Sequence, residues 1–292
     1  MLVGLERVVG GDHLTAIVNT ADDATIYGVH VSPDVDIVTY WLAGIADTHR
    51  GWGIRGDTTT VIDALRELGV NAWFALGDRD LATCLRRTEM LRQGMDLTSV
   101  TAEICHSFGV ATTVLPMSDL PVRTMIVTAD GRTLEFQEYF VKERTEPEVA
   151  EIRIETTEGR DPGSGVLEAI RGSDAVIVCP SNPLLSIDPI LSLTGTREAL
   201  LEHPNVIAIT PIIGGRALKG PADRLLKASV GEASASAVAR HYGDLVDSFV
   251  VDASDPEEAA KVGSLGVRCL QLDTIMRDHQ ASERLARQIL GA

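Results

Sequence analysis

Short, wholly apolar segments recur along this chain, and they constrain its fold more than any other feature. Ala175–Val178 and Val206–Ile209 are four residues long and contain no polar side chain. A run that is apolar on both faces is typical of a parallel strand buried between two layers of helices. Apolar residues make up 45% of the chain and aromatics only 4%, which suits strands of small aliphatic side chains. The pattern predicts an α/β fold with a Rossmann-like parallel sheet flanked by helices.

The other segments divide by their hydrophobic period. Helical spacing and terminal glycines predict helices over residues 2–9, 35–45, 58–68, 81–92, 98–108 and 285–290. Apolar or alternating segments predict further strands over 14–19, 71–76, 112–115, 122–128 and 133–139, with Asp130-Gly131 as a hairpin turn. Residues 144–165, rich in Glu, Pro and Gly, are predicted to form an exposed connection. We interpret residues 1–292 as a single domain with an inserted α+β subregion over about 84–145.

Two acidic motifs follow the first predicted strand. Asn19-Thr20-Ala21-Asp22-Asp23 comes directly after the apolar run Leu14–Val18, and Ser32-Pro33-Asp34-Val35-Asp36 comes a little later. Ligands of open α/β sheets bind outside the carboxyl ends of the strands, so the first motif should line a cleft. Carboxylates in a cleft repel each other unless a cation or a proton compensates them, which favours a Mg²⁺ site for a phosphorylated ligand. The alternative is two Asp-rich turns, because Asp favours turns through local hydrogen bonds.

Two later strands end in turns that could meet a nucleotide. Ser181 and Asn182 follow the strand at 175–178, and Gly214-Gly215 follows the strand at 206–209. The glycines allow close backbone approach, and Lys219 could meet phosphate. Each turn taken alone also fits a purely structural role.

A glycine-rich loop carries an indole. Trp52 lies in Gly51–Thr58 and could stack on a planar ligand or simply belong to the core. Asp57 and Asp78 could bind ligand or cap helices. Arg79 lies between two aspartates, which fits a local ion pair as well as a substrate contact.

Charge and missing motifs exclude several functions. The formal charge is −16, from 26 basic and 42 acidic residues, and this disfavours nucleic acid and anionic membranes as partners. Four scattered cysteines without a metal-binding spacing predict reduced thiols in a cytoplasmic protein. The sequence has no GxSxG, HExxH or GxxxxGK[ST] motif, and its seven histidines are dispersed. Metal-assisted transfer on a phosphorylated substrate is the chemistry that survives.

Taken in order, these motifs resemble the 2-phospho-L-lactate transferase family, CofD in archaea and FbiA in actinobacteria. Nine segments carry the resemblance: NTADD (19–23), SPDVD (32–36), GWGIRGDT (51–58), LGDRDLAT (76–83), LPMSD (115–119), FQEYFV (136–141), PSNPLLSI (180–187), TPIIGG (210–215) and KGPADR (219–224). Any one of them is unspecific, but nine in this order are highly specific.

The resemblance implies an enzyme of coenzyme F(420) biosynthesis. Family members transfer a 2-phospholactyl or phosphoenolpyruvyl group from a guanosine diphosphate carrier to the deazaflavin precursor Fo (7,8-didemethyl-8-hydroxy-5-deazariboflavin), and GMP leaves. Mg²⁺ offsets charge on the diphosphate. The resemblance also implies a cytoplasmic homodimer, with the subregion at about 84–145 as a contact surface.

Site residues are carried over motif by motif. Asp22 and Asp36 match the catalytic and metal-binding positions, with Asp23 and Asp34 as further candidates. The deazaflavin side would comprise Asp34, Asp36, Trp52, Asp57, Asp78 and Arg79. The nucleotide side would comprise Asn19, Ser181, Asn182, Gly214, Gly215 and Lys219.

One departure from the family pattern affects the nucleotide half. Family chains open with a strand and a Gly-rich turn before the first helix, whereas this sequence begins at Met1-Leu2, inside that helix. We therefore expect a central strand to be missing and nucleotide binding to be weak. Two other functions stay open: a non-catalytic nucleotide-sugar-binding regulator of the same fold, and an interaction protein whose cleft has lost its activity.

Overall fold

The computed structural model describes residues 1–218 and 220–291. Its helices are α1 (Leu2–Val9), α2 (Pro33–Leu42), α3 (Thr60–Glu67), α4 (Asp78–Arg92), α5 (Leu97–Ser107), α6 (Val166–Gly172), α7 (Asp188–Leu191), α8 (Thr196–Leu201), α9 (Ala222–Val230), α10 (Ala235–Tyr242), α11 (Pro256–Ser264) and α12 (His279–Leu290). Its strands are β1 (Thr15–Val18), β2 (Ala24–Ile26), β3 (Val29–Val31), β4 (Thr113–Pro116), β5 (Val122–Thr128), β6 (Thr133–Glu135), β7 (Val149–Thr156), β8 (Val176–Val178), β9 (Val206–Ile209), β10 (Ile212–Ile213), β11 (Arg216–Ala217), β12 (Ser248–Asp252) and β13 (Arg268–Leu272). Within these ranges, no helix has the length and apolar character needed to cross a membrane.

A four-stranded parallel sheet, in the order β13-β12-β9-β8, forms the larger half of the fold. Every residue of β9 and β12 is buried, and successive side chains enter different cores. Val206 and Ala208 pack into the large cluster that includes residues of α6 and α8–α11, while Ile207 and Ile209 pack with Leu285 and Ile289 of α12. Helices therefore cover both faces, which confirms the predicted α/β class.

A second parallel pair, β1 and β4, lies apart from that sheet, with Thr15 opposite Thr113. No strand in residues 1–218 or 220–291 joins the two parallel sheets. Helix α1 packs closely on α12, and Gly4 makes this approach possible because a Cβ there would lie 2.3 Å from the Ser282 carbonyl oxygen. The packed pair of helices α1 and α12 therefore connects the smaller parallel sheet to the larger one.

The prediction that residues 144–165 form only an exposed connection is wrong. Part of this segment belongs to an antiparallel sheet in the order β6-β5-β7. That segment contains β7, which pairs with β5 along its length. Glu151, Arg153 and Glu155 alternate with partly buried Ile152 and Ile154. One face of this half-buried strand is charged, so the segment has a composition that is also typical of a loop.

The predicted strand at 71–76 is wrong, although its alternating burial is real. Ala72, Phe74 and Leu76 are buried against the hairpin β2–β3, but the segment pairs with no described strand. The Tyr27 hydroxyl takes the place of a partner: it accepts a hydrogen bond from the Phe74 amide at 2.8 Å and donates one to the Phe74 carbonyl at 3.1 Å. A side chain therefore satisfies the backbone groups that a neighbouring strand would otherwise bind.

The predicted strand at 133–139 is wrong beyond Glu135. The chain leaves the sheet there and forms a π-helical turn over Glu138–Lys142. Gln137 turns inward and donates to the Asp22 carbonyl at 3.3 Å, and Tyr139 enters the core. These two contacts outweigh the strand pattern.

The predicted subregion at about 84–145 contains elements of different kinds. It includes most of α4, then α5, then β4, which pairs with β1 of the parallel pair. Its antiparallel strands extend beyond it to β7. The division of the chain into domains stays a prediction.

Candidate active site

Asn19 organises the acidic loop that follows β1. Its side-chain oxygen accepts from the Ala21 amide at 2.9 Å, which fixes the turn. Its side-chain nitrogen donates to Asp22 at 3.1 Å and to Asp34, in the first turn of α2, at 3.0 Å. Asn19 was assigned to the nucleotide side, but here its amide connects the two acidic motifs. One buried amide therefore brings together the two acidic motifs.

Asp23 is held by neighbours from the β2–β3 hairpin and the turn after it. Ser32 donates to both carboxylate oxygens, at 2.7 and 2.8 Å, and a His30 ring nitrogen lies 2.9 Å from one of them. Three polar contacts on one carboxylate leave it little capacity for a ligand. Asp23 therefore serves mainly to fix the loop.

Asp36 forms a two-point ion pair with Arg87 of α4. Arg87 Nη1 donates to Asp36 Oδ2 at 3.0 Å, and Arg87 Nη2 donates to Oδ1. The Arg87 side chain is fully buried. Burial acts to lower the pKa of Arg87, but the Asp36 carboxylate outweighs it and holds that pKa above its usual range. Arg87 engages both carboxylate oxygens, but Asp36 also offers a ligand atom within 4.8 Å of those of Asp80 and Cys84, a group that could hold a metal ion, so Asp36 as a metal ligand stays a prediction.

Asp22 differs from the other carboxylates of the described chain because one of its oxygens is buried without a hydrogen-bond partner. It is 5% exposed, and its Oδ1 has no hydrogen-bond partner among the described residues. Burial, and then the charge of Asp34, raise the pKa of Asp22 well above its usual value. Burial likewise raises the pKa of Asp34 to about 6. Two carboxylates that resist ionisation side by side fit a divalent cation, whose charge would remove their repulsion.

A small cavity opens beside Asp22. Its volume is about 10 Å³, which is the space of about one water molecule. Thr124 of β5 lines it, and the Thr124 hydroxyl also lacks a partner in the described part of the chain. Arg123, Phe136 and Gln137 also line the cavity, and so do the carboxylates Asp23 and Glu135. Two residues that line this space therefore each have a buried side-chain oxygen without a hydrogen-bond partner in the described part of the chain.

Asp57 and Asp78 each cap a helix. Asp57 caps α4, and Asp78, the first residue of α4, caps α3. Asp57 accepts from the amides of Arg79 and Asp80 at the start of α4. Asp78 accepts from the amides of Thr60 and Val61 at the start of α3. Because the Thr58 hydroxyl and these helix amides donate to Asp78, its pKa falls to about 2. The exchange joins the two helices, so the capping alternative describes both residues and their assignment to the deazaflavin side stays a prediction.

Gly77→Ala should destabilise the protein through this exchange of caps. A Cβ at Gly77 would lie 2.2 Å from Asp57 Oδ2, so the cap of α4 has to move. Loss of a cap costs about 0.5–2 kcal/mol. Urea unfolding should show that loss, whereas Gly172→Ala, with open space around its Cβ, should be neutral or slightly stabilising. Equal unfolding midpoints for the two variants would contradict the argument.

Trp52 lies at the surface, so its alternative assignment to the core is wrong. Its side chain is 48% exposed, and the Arg50 guanidinium lies 5.7 Å from the ring centre. The bridge between Ala46 and Ile54 closes the loop around it. The indole is therefore presented to solvent on a braced loop. Arg79 contributes its backbone amide to the Asp57 cap.

The residues assigned to the nucleotide side follow two adjacent strands, β8 and β9. Asn182 accepts from the Leu184 and Leu185 amides, while its buried side-chain nitrogen has no partner within residues 1–218 and 220–291. Gly214-Gly215 forms the turn between β10 and β11, and the Gly214 amide donates to Asp255 at 2.9 Å. Ser181 donates its backbone amide to the Cys179 carbonyl. Lys219 lies outside the described residues.

Arg87, His30, Arg123 and Gln137 belong to this site and were not identified as site residues from the sequence. Arg87 had a usable signal: it lies seven residues after Asp80 and three after Cys84, on one helical face. The other three come from distant segments, and only the folded chain brings them to the acidic loop.

The metal-free protein should lose stability as the pH rises from about 4 to 8. Burial raises the pKa of Asp34 to about 6, and burial together with Asp36 raises the pKa of Asp80 to about 7, against about 3.9 for an unfolded Asp. A carboxyl that binds its proton more tightly when folded favours folding at low pH, and this contribution is lost as the pH passes through the folded pKa. The lowered pKa of Asp78 acts in the opposite direction, but at pH values below this window. Thermal midpoints with chelator present measure the effect.

Two additions sharpen that measurement. Asp80→Asn should flatten the upper part of the pH dependence, and Mg²⁺ should raise the midpoint more at pH 8 than at pH 5. A midpoint that rises steadily from pH 4 to 8 would show that these carboxyls are not strained.

The fold and site together define an α/β protein with an acidic centre at the carboxyl end of a parallel strand pair. Comparison with known proteins is more specific. The family model "2-phospho-L-lactate transferase CofD" matches residues 1–286. The chain therefore belongs to the CofD family, a family of transferases, as its motifs predicted.

Individual relatives agree with this assignment. The chain is 41% identical to a 2-phospho-L-lactate transferase of Methanospirillum hungatei, covering 99% of this chain and 95% of the relative. It is 40% identical to a phosphoenolpyruvate transferase of Streptomyces griseus, covering 99% and 93%. A crystal structure of a UPF0052 family protein from Bacillus halodurans matches with a TM-score of 0.64 at 17% identity, covering 99% of this chain and 94% of that one, and it supports the fold alone.

Proposed function

We propose that this transferase moves a 2-phospholactyl or phosphoenolpyruvyl group from a guanosine diphosphate carrier to the deazaflavin precursor Fo, releasing GMP, in coenzyme F(420) biosynthesis. The observation that carries the proposal is the unpaired Oδ1 of buried Asp22, at a cavity beside the acidic loop. Relatives named for both three-carbon groups support a donor of this class. We further propose that the enzyme works in the cytoplasm as a homodimer.

Two carboxylates of the acidic centre have different proposed roles in the reaction. Asp22, which lines the cavity and has one oxygen without a hydrogen-bond partner in the described part of the chain, would hold Mg²⁺, which offsets charge on the diphosphate when bound. Asp34, with a pKa of about 6, is suited to accept the proton of the attacking hydroxyl near neutral pH. The Fo ribityl oxygen forms a bond to the distal phosphorus, the bond from that phosphorus to the GMP oxygen breaks, and GMP leaves with the electron pair. Arg87 keeps Asp36, and with it the first turn of α2, in position.

The deazaflavin half depends on Trp52. Its exposed indole can stack on the planar ring of Fo, a contact worth about 1–3 kcal/mol for bases on aromatic side chains. Trp52→Ala should therefore weaken Fo binding by roughly 5- to 150-fold. Trp52→Phe keeps a ring and should restore most of the affinity. An alanine variant that binds Fo normally would exclude the stacking role.

Fluorescence titration of Fo tests the proposed function directly. The protein is mixed with Fo, Mg²⁺ and GDP, and transfer is then followed with the guanylylated phospho-acid as donor. Saturable Fo binding and release of GMP support the transferase. Nucleotide binding without Fo binding would instead favour the non-catalytic nucleotide-sugar-binding regulator.

A further inference from the structure

Among residues 1–218 and 220–291, positive charge that is free to meet a ligand is scarce around the acidic centre. Arg87 has both terminal nitrogens engaged by Asp36, and His30 contacts Asp23. The chain as a whole carries a formal charge of −16. A donor that bears a carboxylate in addition to its phosphate therefore needs a cation of its own at this site.

Arg123 of β5 is placed to supply that cation. It lines the cavity beside Asp22, and its Nη1 donates to the Asp23 carbonyl at 3.2 Å. That is its one hydrogen bond within the described residues, so Nε and Nη2 keep free donors. The backbone contact holds the guanidinium against the acidic loop while 43% of the side chain stays exposed.

Glu135 is a weak competitor for this arginine. The two side chains are 3.6 Å apart and similarly exposed, at 43% and 44%. Exposed ion pairs of this kind contribute little to stability, because water screens the charges and the long side chains lose conformational entropy when they pair. A ligand carboxylate can therefore replace Glu135, and the planar guanidinium matches it with two parallel hydrogen bonds.

We propose that Arg123 is the specificity-determining residue that binds the carboxylate of the transferred three-carbon acid, at the rim of the cavity beside Asp22. The inference rests on the proposed function, because the carboxylate belongs to the donor named there. It places the acid group of the donor next to the β5 strand and its phosphate next to Asp22. Gln137, on the same rim, offers an amide beside it.

Two matched donors test the assignment. Calorimetry compares binding of guanosine diphosphate-linked lactate with binding of its methyl ester, which lacks the negative charge. Arg123→Gln should weaken binding of the acid by roughly 10- to 100-fold, the range of a hydrogen bond to a charged group, and leave the ester unchanged. Arg123→Lys keeps the charge but lacks the planar guanidinium. Its affinity for the acid should therefore lie between those of the wild type and Arg123→Gln. Arg132→Gln, which removes an exposed arginine paired with Asp130, should affect neither donor.

The outcomes separate the two proposals. If Arg123→Gln weakens the acid and the ester equally, or neither, while the wild-type protein transfers normally, the carboxylate assignment is overturned and the transferase stands. If the wild-type protein binds neither donor, the proposed function fails and this inference fails with it. A thermal midpoint of Arg123→Gln close to that of the wild type shows that the fold is intact.

Discussion

Asp22→Asn should reduce transfer by about 10²- to 10³-fold, the range expected when one group that stabilises charge in the transition state is removed, and should raise the thermal stability of the metal-free protein. The two effects have one cause. Burial and the neighbouring Asp34 charge raise the pKa of Asp22, so ionised Asp22 opposes folding. Asparagine has nearly the same shape, removes the charge, and puts an amide in place of an acceptor oxygen.

The opposite signs distinguish this role from a structural one. A residue needed for folding would lose activity and stability together, whereas a strained functional residue loses activity and gains stability. Turnover at saturating donor and the unfolding midpoint with chelator measure the two effects. Asp63→Asn, an exposed carboxylate on α3 paired with Arg66, serves as the control and should change neither. An Asp22→Asn protein that is less stable, or that keeps more than a tenth of its turnover, would refute the assignment.

Arg87→Met should lower the free energy of unfolding by about 3–5 kcal/mol, because it leaves Asp36 buried without its partner. The neighbouring Arg86 provides an unusually close control. Its side chain is 57% exposed and pairs with Glu89 at the surface, whereas the Arg87 side chain is 0% exposed. Arg86→Met should therefore stay within about 0.5 kcal/mol of the wild type in urea unfolding.

A double variant separates the cost of the broken pair from the loss of packing. Asp36→Leu/Arg87→Met removes both charges and should recover part of the stability lost in Arg87→Met, since an apolar pair needs no compensation. Arg87→Met and Arg86→Met variants of equal stability would show that the ion pair is not what holds α2 against α4. Asp36→Asn should likewise destabilise the fold, because it leaves the Arg87 guanidinium half-paired.

The site was predicted from the sequence in outline and not in its division of roles. The first acidic motif does lie at the carboxyl end of β1, as the strand-end argument required, and Trp52 is exposed as a stacking residue must be. Asp36, however, is engaged by an arginine 51 positions away, which no local pattern indicates. The same holds for Asp57 and Asp78, whose exchanged capping contacts span about 20 residues.

The fold shows the same difference between elements that follow from local sequence patterns and elements that depend on residues distant along the chain. The sequence by itself determined the α/β class, the buried strands β5 and β9, and the helices whose apolar spacing and terminal glycines are local signals. Only the tertiary structure decided that 71–76 pairs with no strand, because the Tyr27 hydroxyl bonds its backbone, and that β7 is a strand, because β5 lies beside it. It also decided that Asp22 has a buried oxygen without a hydrogen-bond partner in the described part of the chain. Burial, partner choice and pKa depend on atoms that are distant along the chain, so the pattern of neighbouring residues does not determine them.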